Sequence, residues 1–254
     1  MKINGLTAVV TGGASGLGFA TAAALAQAGA KVALLDIGQS RVDSAAAEIG
    51  CLGFECDVTD DKRVASVVGE IGEKLGNVRI NVNCAGVAGG MLLVDKNGPV
   101  DIESYRRVIE INLIGTVSVM IQCVAQMMAS ASLNDDGEHG VVINTSSITA
   151  FEGMVGQGAY AASKGAIASL CLPVAREFAP RGVRVMAIAP GLFETPIVDQ
   201  IPGKVVDSMV SKTQFPMRMG RPEEFAKAVL SICRNPMFNG TTLRLDGAVR
   251  LQAR

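Results

Sequence analysis

Short apolar runs bounded by glycine or polar residues alternate along this chain with longer stretches in which apolar residues return every three or four positions. The first pattern predicts strands near residues 7–10, 31–35, 53–55, 80–83, 141–144, 183–187 and 242–245. The second predicts helices near 15–28, 39–49, 60–75, 102–131, 159–179 and 222–234, many opening on Asp, Ser or Pro as helix starts do. A βαβ rhythm of this kind requires a parallel sheet joined by right-handed crossovers, with helices on both faces. The expectation is an α/β, doubly wound single domain over residues 1–254, built on a seven-stranded parallel sheet.

Two places disturb the rhythm. Pro173 falls inside the 159–179 helix, where it removes a backbone hydrogen bond and is expected to bend a helix that otherwise stays whole. Residues 88–101 and 190–215 have no sheet role and are longer than most connections, which marks them as substrate loops. No internal repeat or low-complexity tract interrupts the chain.

Composition narrows the function classes. The 254 residues carry a formal charge of −1, which leaves no basic footprint for nucleic acid and no pull toward an anionic membrane. The apolar run at the N-terminus is too short to span a bilayer and leads straight into a strand and turn, so a cytoplasmic protein is expected, an organelle matrix being the alternative. Six cysteines without a CxxC pair and a single histidine, His139, give no metal-ligand set. The thiols read as reduced and mostly buried, and His139 as a solvated loop residue.

Chemistry enters after the first strand, in Thr11-Gly12-Gly13-Ala14-Ser15-Gly16-Leu17-Gly18. A glycine-rich turn opening a helix lets the backbone approach a pyrophosphate, while the helix N-terminus offers free N–H groups and the positive end of its dipole. The spacing of Gly12, Gly16 and Gly18 is GxxxGxG rather than GxGxxG. Asp36 closes the second strand, where a carboxylate would accept hydrogen bonds from an adenosine ribose and repel a 2′-phosphate. That favours NAD over NADP; the plainer reading of Asp36 is a cap for the next helix.

Tyr160 and Lys164 stand one helical turn apart, so their side chains share a face. Ser146 and Ser147 end the fifth strand, at the carboxyl edge of the sheet where ligands bind in such folds. Oxidising an alcohol by hydride transfer needs a base for the hydroxyl proton, and a phenol with a pKa of about 10 is poorly ionised near neutrality. Bringing it to about 7 takes roughly 4 kcal/mol, which an adjacent ammonium and an oxidised nicotinamide would supply. In this reading Ser147 orients the substrate oxygen, Tyr160 moves the proton, and Asn112 holds a water between Lys164 and solvent. The bland readings are a turn serine, a solvated lysine and a satisfied helix asparagine.

The motifs TGGASGLG (11–18), NCAG (83–86), INLIGT (111–116), SS (146–147), YAASK (160–164) and APG (189–191) together resemble the short-chain dehydrogenases/reductases over essentially the whole chain. The resemblance implies a Rossmann fold with strand order 3-2-1-4-5-6-7, an NAD site over the carboxyl edge and a homotetramer packed through its long helices. It places Ser15 and Leu17 on the cofactor phosphates, Asp57 and Val58 against adenine, and Cys84, Ala85 and Gly86 along the cofactor. Ile188, Pro190 and Thr195 fall near the nicotinamide. Cys84 stands where the family's motif has a second asparagine.

The stretches NCAGVAGG, DKNGPVDIESYRRV, INTSSITAFEGMVGQGAYAASKGAI and APGLFETP are similar to those of the type 2 3-hydroxyacyl-CoA dehydrogenases, whose members also oxidise hydroxysteroids. This similarity implies interconversion of a secondary alcohol and a ketone on an acyl-CoA or hydroxysteroid substrate. Gln157 and Phe193 then line the site, with Met154 and Glu194 as positions where relatives are expected to vary. The competing readings are another alcohol or polyol dehydrogenase of this fold and, from a different class, a non-catalytic dinucleotide-binding or scaffolding protein.

Overall fold

The computed structural model describes residues 1–198 and 203–252. Seven strands, β1 (Thr7–Thr11), β2 (Lys31–Asp36), β3 (Leu52–Glu55), β4 (Val78–Asn83), β5 (Gly140–Thr145), β6 (Val183–Pro190) and β7 (Thr242–Leu245), form one sheet. All neighbours run parallel, in the order β3-β2-β1-β4-β5-β6-β7. Every residue of β1 and of β6 is buried, as strands covered on both faces must be, which is why they read as continuous apolar runs.

Successive side chains serve opposite layers. Ala8 and Val10 join the cluster that holds Leu25 of α1 (Gly16–Gln27) and Phe225, Val229 and Ile232 of α8 (Pro222–Arg234). Val9 faces the other layer, with Val64, Val67 and Ile71 of α3 (Asp61–Leu75). Leu34 packs under α2 (Gln39–Ile49) through Val42, Ala45 and Ala46.

The expected 102–131 helix is a rod of two α-helical parts, α4 (Ile102–Ile109) and α5 (Gly115–Met128), joined by a π turn over Glu110–Ile114. In that turn the Gly115 N–H reaches back five residues to the Glu110 carbonyl. The rod is long and apolar enough to cross a bilayer, but Val119, Met120, Cys123, Val124 and Met127 bury it against the sheet. Helix α6 (Gly158–Phe178) runs unbroken through Pro173.

The 190–215 region is not all loop, since it contains α7 (Gly203–Val210). The 88–101 loop carries a two-stranded antiparallel ribbon, Val94–Asp95 with Gly98–Pro99. Its start is tied down by the Met91 N–H, which donates to the Gly156 carbonyl at 2.7 Å. His139 is half-buried rather than solvated, with Nδ1 3.2 Å from the Met127 carbonyl oxygen.

At the amino edge of the sheet, Arg184 of β6 is 6% exposed and forms an ion pair with Glu138 at 2.8 Å. Its remaining N–H groups donate to the carbonyls of Ile232, Cys233, Asn235 and Phe238 at the end of α8. A buried guanidinium thus satisfies the orphan carbonyls of a helix terminus. At the opposite edge, Thr11, Asn83, Thr145 and Pro190 end four adjacent strands, and the reversal of strand order between β1 and β4 opens a crevice there.

Candidate active site

The glycine turn is shaped by close approach. Gly12 has φ +62°, and a Cβ on it would lie 2.8 Å from the Ala85 nitrogen. A Cβ on Gly18 would collide with the Gly12 carbonyl oxygen, so α1 can sit this near the turn only without one. Thr11 Oγ1 accepts hydrogen bonds from the Cys84 and Ala85 N–H groups, both at 3.1 Å, and locks the second cofactor-side loop onto the first. Ser15 caps α1 in an extended conformation without a side-chain cap bond, and Ser15, Gly16 and Leu17 border a cavity of about 610 Å³.

Asp36 borders the same cavity at its far end. Its Oδ2 accepts from the Ala14 N–H at 3.0 Å and its Oδ1 from the Ile37 N–H at 2.8 Å, which aims the carboxylate at the turn. It is therefore not a cap for the following helix. Arg41 Nη2 lies 3.5 Å from Oδ1. Asp57 Oδ1 accepts from the Thr59 N–H and hydroxyl at 2.9 and 2.7 Å, and Arg107 lies 3.7 Å from Oδ2. Burial works to raise the Asp57 pKa, but the Thr59 bonds and the Arg107 charge hold it below the usual carboxylate value. Asp57, Val58, Cys84, Ala85, Gly86, Pro190 and Thr195 all border the cavity.

Ser147, Gln157, Tyr160 and Lys164 meet at the other end. The Ser147 hydroxyl accepts from the Thr149 N–H at 3.2 Å, which fixes it at the start of a 3-10 turn, on the same cavity wall as the Tyr160 phenol. Ser163 donates to the Tyr160 carbonyl at 2.8 Å, and Ser146 to the Lys164 carbonyl at 2.8 Å, so two hydroxyls brace the helix turn bearing the pair. Lys164 is 4% exposed, its Nζ donates to the Thr145 carbonyl at 2.8 Å, and it lies 5.8 Å from the centre of the Tyr160 ring. Gln157 Oε1 is buried without a hydrogen-bond partner among the described residues, an acceptor left for a ligand donor.

The electrostatics depart from the sequence expectation. Burial raises the Tyr160 pKa above 10.0, opposed by the nearby Ser147 hydroxyl. Burial also lowers Lys164 to about 8, weakly opposed by Cys84. Within the chain alone, desolvation outweighs the help that the ammonium was expected to give. Both groups are held toward their neutral forms, where a modest added charge decides their state.

Three further residues have protein contacts that the sequence did not show. Asn112 sits in the π turn, fully buried, and its amide is engaged with protein. Oδ1 accepts from the Val87 N–H at 2.8 Å, while Nδ2 donates to the Val87 carbonyl at 3.0 Å and to Ser163 at 3.1 Å. The side chain positions a cavity loop. Ile188 is fully buried among the core residues around β6. Phe193 borders the cavity, but its ring packs edge-on against Phe225, 6.4 Å between centroids, and is 6% exposed. Sequence reasoning gave no role to Thr11, Thr145 and Ser163, although they lie inside the quoted motifs, because they act through contacts with backbone or with Asn112, and it gave none to Leu251 of the distant C-terminal segment.

Among the described residues no three His, Cys, Asp or Glu side chains gather as a metal site. Cys84 keeps its proton: burial pushes its thiol up to about 11, against a Thr145 hydrogen bond and the Lys164 charge. The glycine turn that a Cβ would fill, the free start of α1 and the aimed Asp36 carboxylate fit a dinucleotide. Asp36 lies with the turn, and the Ser147, Tyr160 and Lys164 set lies at the other end of the one cavity.

A family model described as Enoyl-(Acyl carrier protein) reductase matches residues 12–249. The chain is 46% identical over 255 residues to a human 3-hydroxyacyl-CoA dehydrogenase type-2, covering 99% of this chain and 97% of that one. It is 32% identical to a 3-oxoacyl-(acyl-carrier-protein) reductase of Thermotoga maritima, over 98% of this chain and 99% of the relative. A crystal structure of 3-hydroxyacyl-CoA dehydrogenase type-2 from Mycobacterium avium superposes with a TM-score of 0.93 at 32% identity, covering 100% of both chains.

Proposed function

The chain belongs to the short-chain dehydrogenase/reductase family, and from that premise we propose that it interconverts a 3-hydroxyacyl-CoA and the 3-ketoacyl-CoA, with NAD as cofactor. The observation that carries the reading is the convergence of Ser147, Tyr160 and Lys164 at one end of a cavity whose other end holds the glycine turn and Asp36. The similarity to dehydrogenases named for 3-hydroxyacyl-CoA supports the substrate.

Gly12, Ser15, Gly16 and Leu17 would hold the pyrophosphate on N–H groups, and Asp36 would accept from the adenosine ribose. When bound, the oxidised nicotinamide accepts a hydride and brings a positive charge to the site. Ser147 donates a hydrogen bond to the substrate oxygen and keeps it near the Tyr160 hydroxyl. Tyr160 removes the alcohol proton in oxidation and returns it in reduction. Lys164, seated on the Thr145 carbonyl, biases the phenol toward phenolate once further positive charge enters the site. Gln157 Oε1 offers the substrate an acceptor. The exposed Ile114 and Ile121 on the outer side of the long rod support assembly into a homotetramer through that surface.

The test is turnover of 3-hydroxybutyryl-CoA, hydroxysteroids and polyols with NAD and with NADP. The expected result is NADH from the acyl-CoA, and a Tyr160→Phe protein that binds NADH but loses about 10²–10⁴-fold in kcat. Asp36→Asn is expected to raise the NADP-to-NAD ratio of kcat/KM, since the repelling carboxylate is gone. NADH formed only from another alcohol would discard the substrate, and undiminished turnover by Tyr160→Phe would discard the proton role.

A further inference from the structure

The C-terminal segment returns to the cavity and is fastened there by charge. Leu251 borders the cavity, and its N–H donates to Glu152 Oε2 at 2.8 Å, across 99 positions of sequence. Glu152 follows closely on Ser147: its N–H donates to the Ile148 carbonyl at 3.1 Å, inside the turn that begins at the active-site serine. Leu251 therefore sits at the substrate end of the cavity and not at the Asp36 end.

Several independent contacts hold this arrangement. Glu152 Oε1 pairs with Arg244 at 2.8 Å and with Arg250 at 3.4 Å. Asp246 pairs with the same two arginines at 2.7 and 3.3 Å, and Arg244 also donates to the Val249 carbonyl at 3.3 Å. Arg244 lies 5.6 Å from the centre of the Phe151 ring, which extends the cluster onto the serine-side loop. Two carboxylates and two guanidiniums thus join the end of β7, the C-terminal segment and the loop leading to Gln157. Isolated exposed pairs contribute little, but a network in which each carboxylate contacts both cations fixes geometry better than any one pair. The Glu152 carboxyl responds accordingly: burial works to raise its pKa, and the Leu251 N–H and the two arginines hold it below the usual value.

We propose that this four-residue ion-pair cluster is a latch that positions Leu251 as an apolar wall of the substrate site. Leu251 becomes a specificity-determining residue and Glu152 a positioning residue that acts through it. The inference rests on the proposed alcohol-dehydrogenase reading only for the identity of the substrate; the latch itself is a property of the fold. A wall three carbons shorter changes discrimination between acyl groups by roughly tenfold, the range seen when an apolar pocket gains or loses methylene groups.

The experiment compares wild type, Leu251→Ala and Glu152→Ala as full chains. Hydrogen exchange of the peptide spanning 246–252 is read by mass spectrometry, and KM and kcat are measured over straight-chain 3-hydroxyacyl-CoA substrates of increasing length. The expected result is faster exchange of that peptide in Glu152→Ala. Both variants should share a changed ranking of acyl lengths, carried by KM more than by kcat, with the KM for NAD unmoved. Unchanged exchange in Glu152→Ala overturns the latch. Faster exchange with an unchanged ranking in both variants overturns the specificity role. If the wild type ignores every acyl-CoA but oxidises a different alcohol, the substrate reading has failed; the ranking is then taken over homologues of that alcohol, with the same two outcomes deciding the latch.

Discussion

Replacing Lys164 with methionine should stabilise the protein while removing its activity. Lys164 is 4% exposed, and burial lowers its pKa from 10.5 to about 8. The folded protein therefore binds fewer protons than the unfolded chain between those values, so wild-type stability rises with pH across that window. Integrating the shift gives a penalty of about 3 kcal/mol at pH 7 that falls to about 1 kcal/mol at pH 9.5. Methionine keeps the apolar stem and removes this penalty, but it leaves the Thr145 carbonyl without the donor that now sits at 2.8 Å. That loss costs about 1 kcal/mol, for a net gain near 2 kcal/mol at pH 7, or about 4–8 °C in Tm, and almost nothing at pH 9.5. Urea and thermal unfolding of both proteins, without added cofactor, at pH 7 and 9.5 would measure it. A variant less stable than wild type at pH 7, or a difference that does not shrink as pH rises, would refute the argument that desolvation of the ammonium is the dominant cost at this site.

Gly18→Ala places a methyl against the Gly12 carbonyl; backbone must move, and a cost of about 1–3 kcal/mol with a raised KM for the dinucleotide is expected from unfolding and steady-state assays. Arg184→Ala strips a donor from four carbonyls, of which Cys233 keeps another in the N-terminal ammonium, and leaves buried Glu138 with that ammonium as its cation, at 3.2 Å. It should cost about 3–5 kcal/mol, read as a fall in Tm, while kcat of the folded fraction is unaltered because the residue lies at the edge of the sheet remote from the cavity.

The sheet was legible because each of its strands is a short apolar run between polar boundaries, and parallel strands buried on both faces leave that signature. Strand order cannot be read from periodicity; it came with the family motifs and agrees with the fold. The π turn was invisible, since one extra residue in a hydrogen-bonded rod leaves the three-to-four-residue apolar repeat nearly intact. Helix α7 was missed because its two turns lie among loop-forming residues, too short for a periodic pattern to stand out. Among site residues, the glycine turn, Asp36, Ser147, Tyr160 and Lys164 could be placed because each needs a particular side chain at a particular strand or helix end. Asn112 was placed near the site without its Val87 and Ser163 partners, and Leu251 was given no role, because tertiary contacts over long sequence separations decide both.

The π turn over Glu110–Ile114 holds one residue more than an ordinary helical turn of the long rod. Deleting one residue there would make the bond five residues back an ordinary one four residues back, so both halves could keep their seats while the side chains inside the turn were redirected. Asn112 could then no longer face Val87 and Ser163 while α5 kept its seat on the sheet. A shorter chain would thus gain a more regular helix and lose the brace behind its catalytic helix, so local irregularity at this point is a condition of the long-range fit.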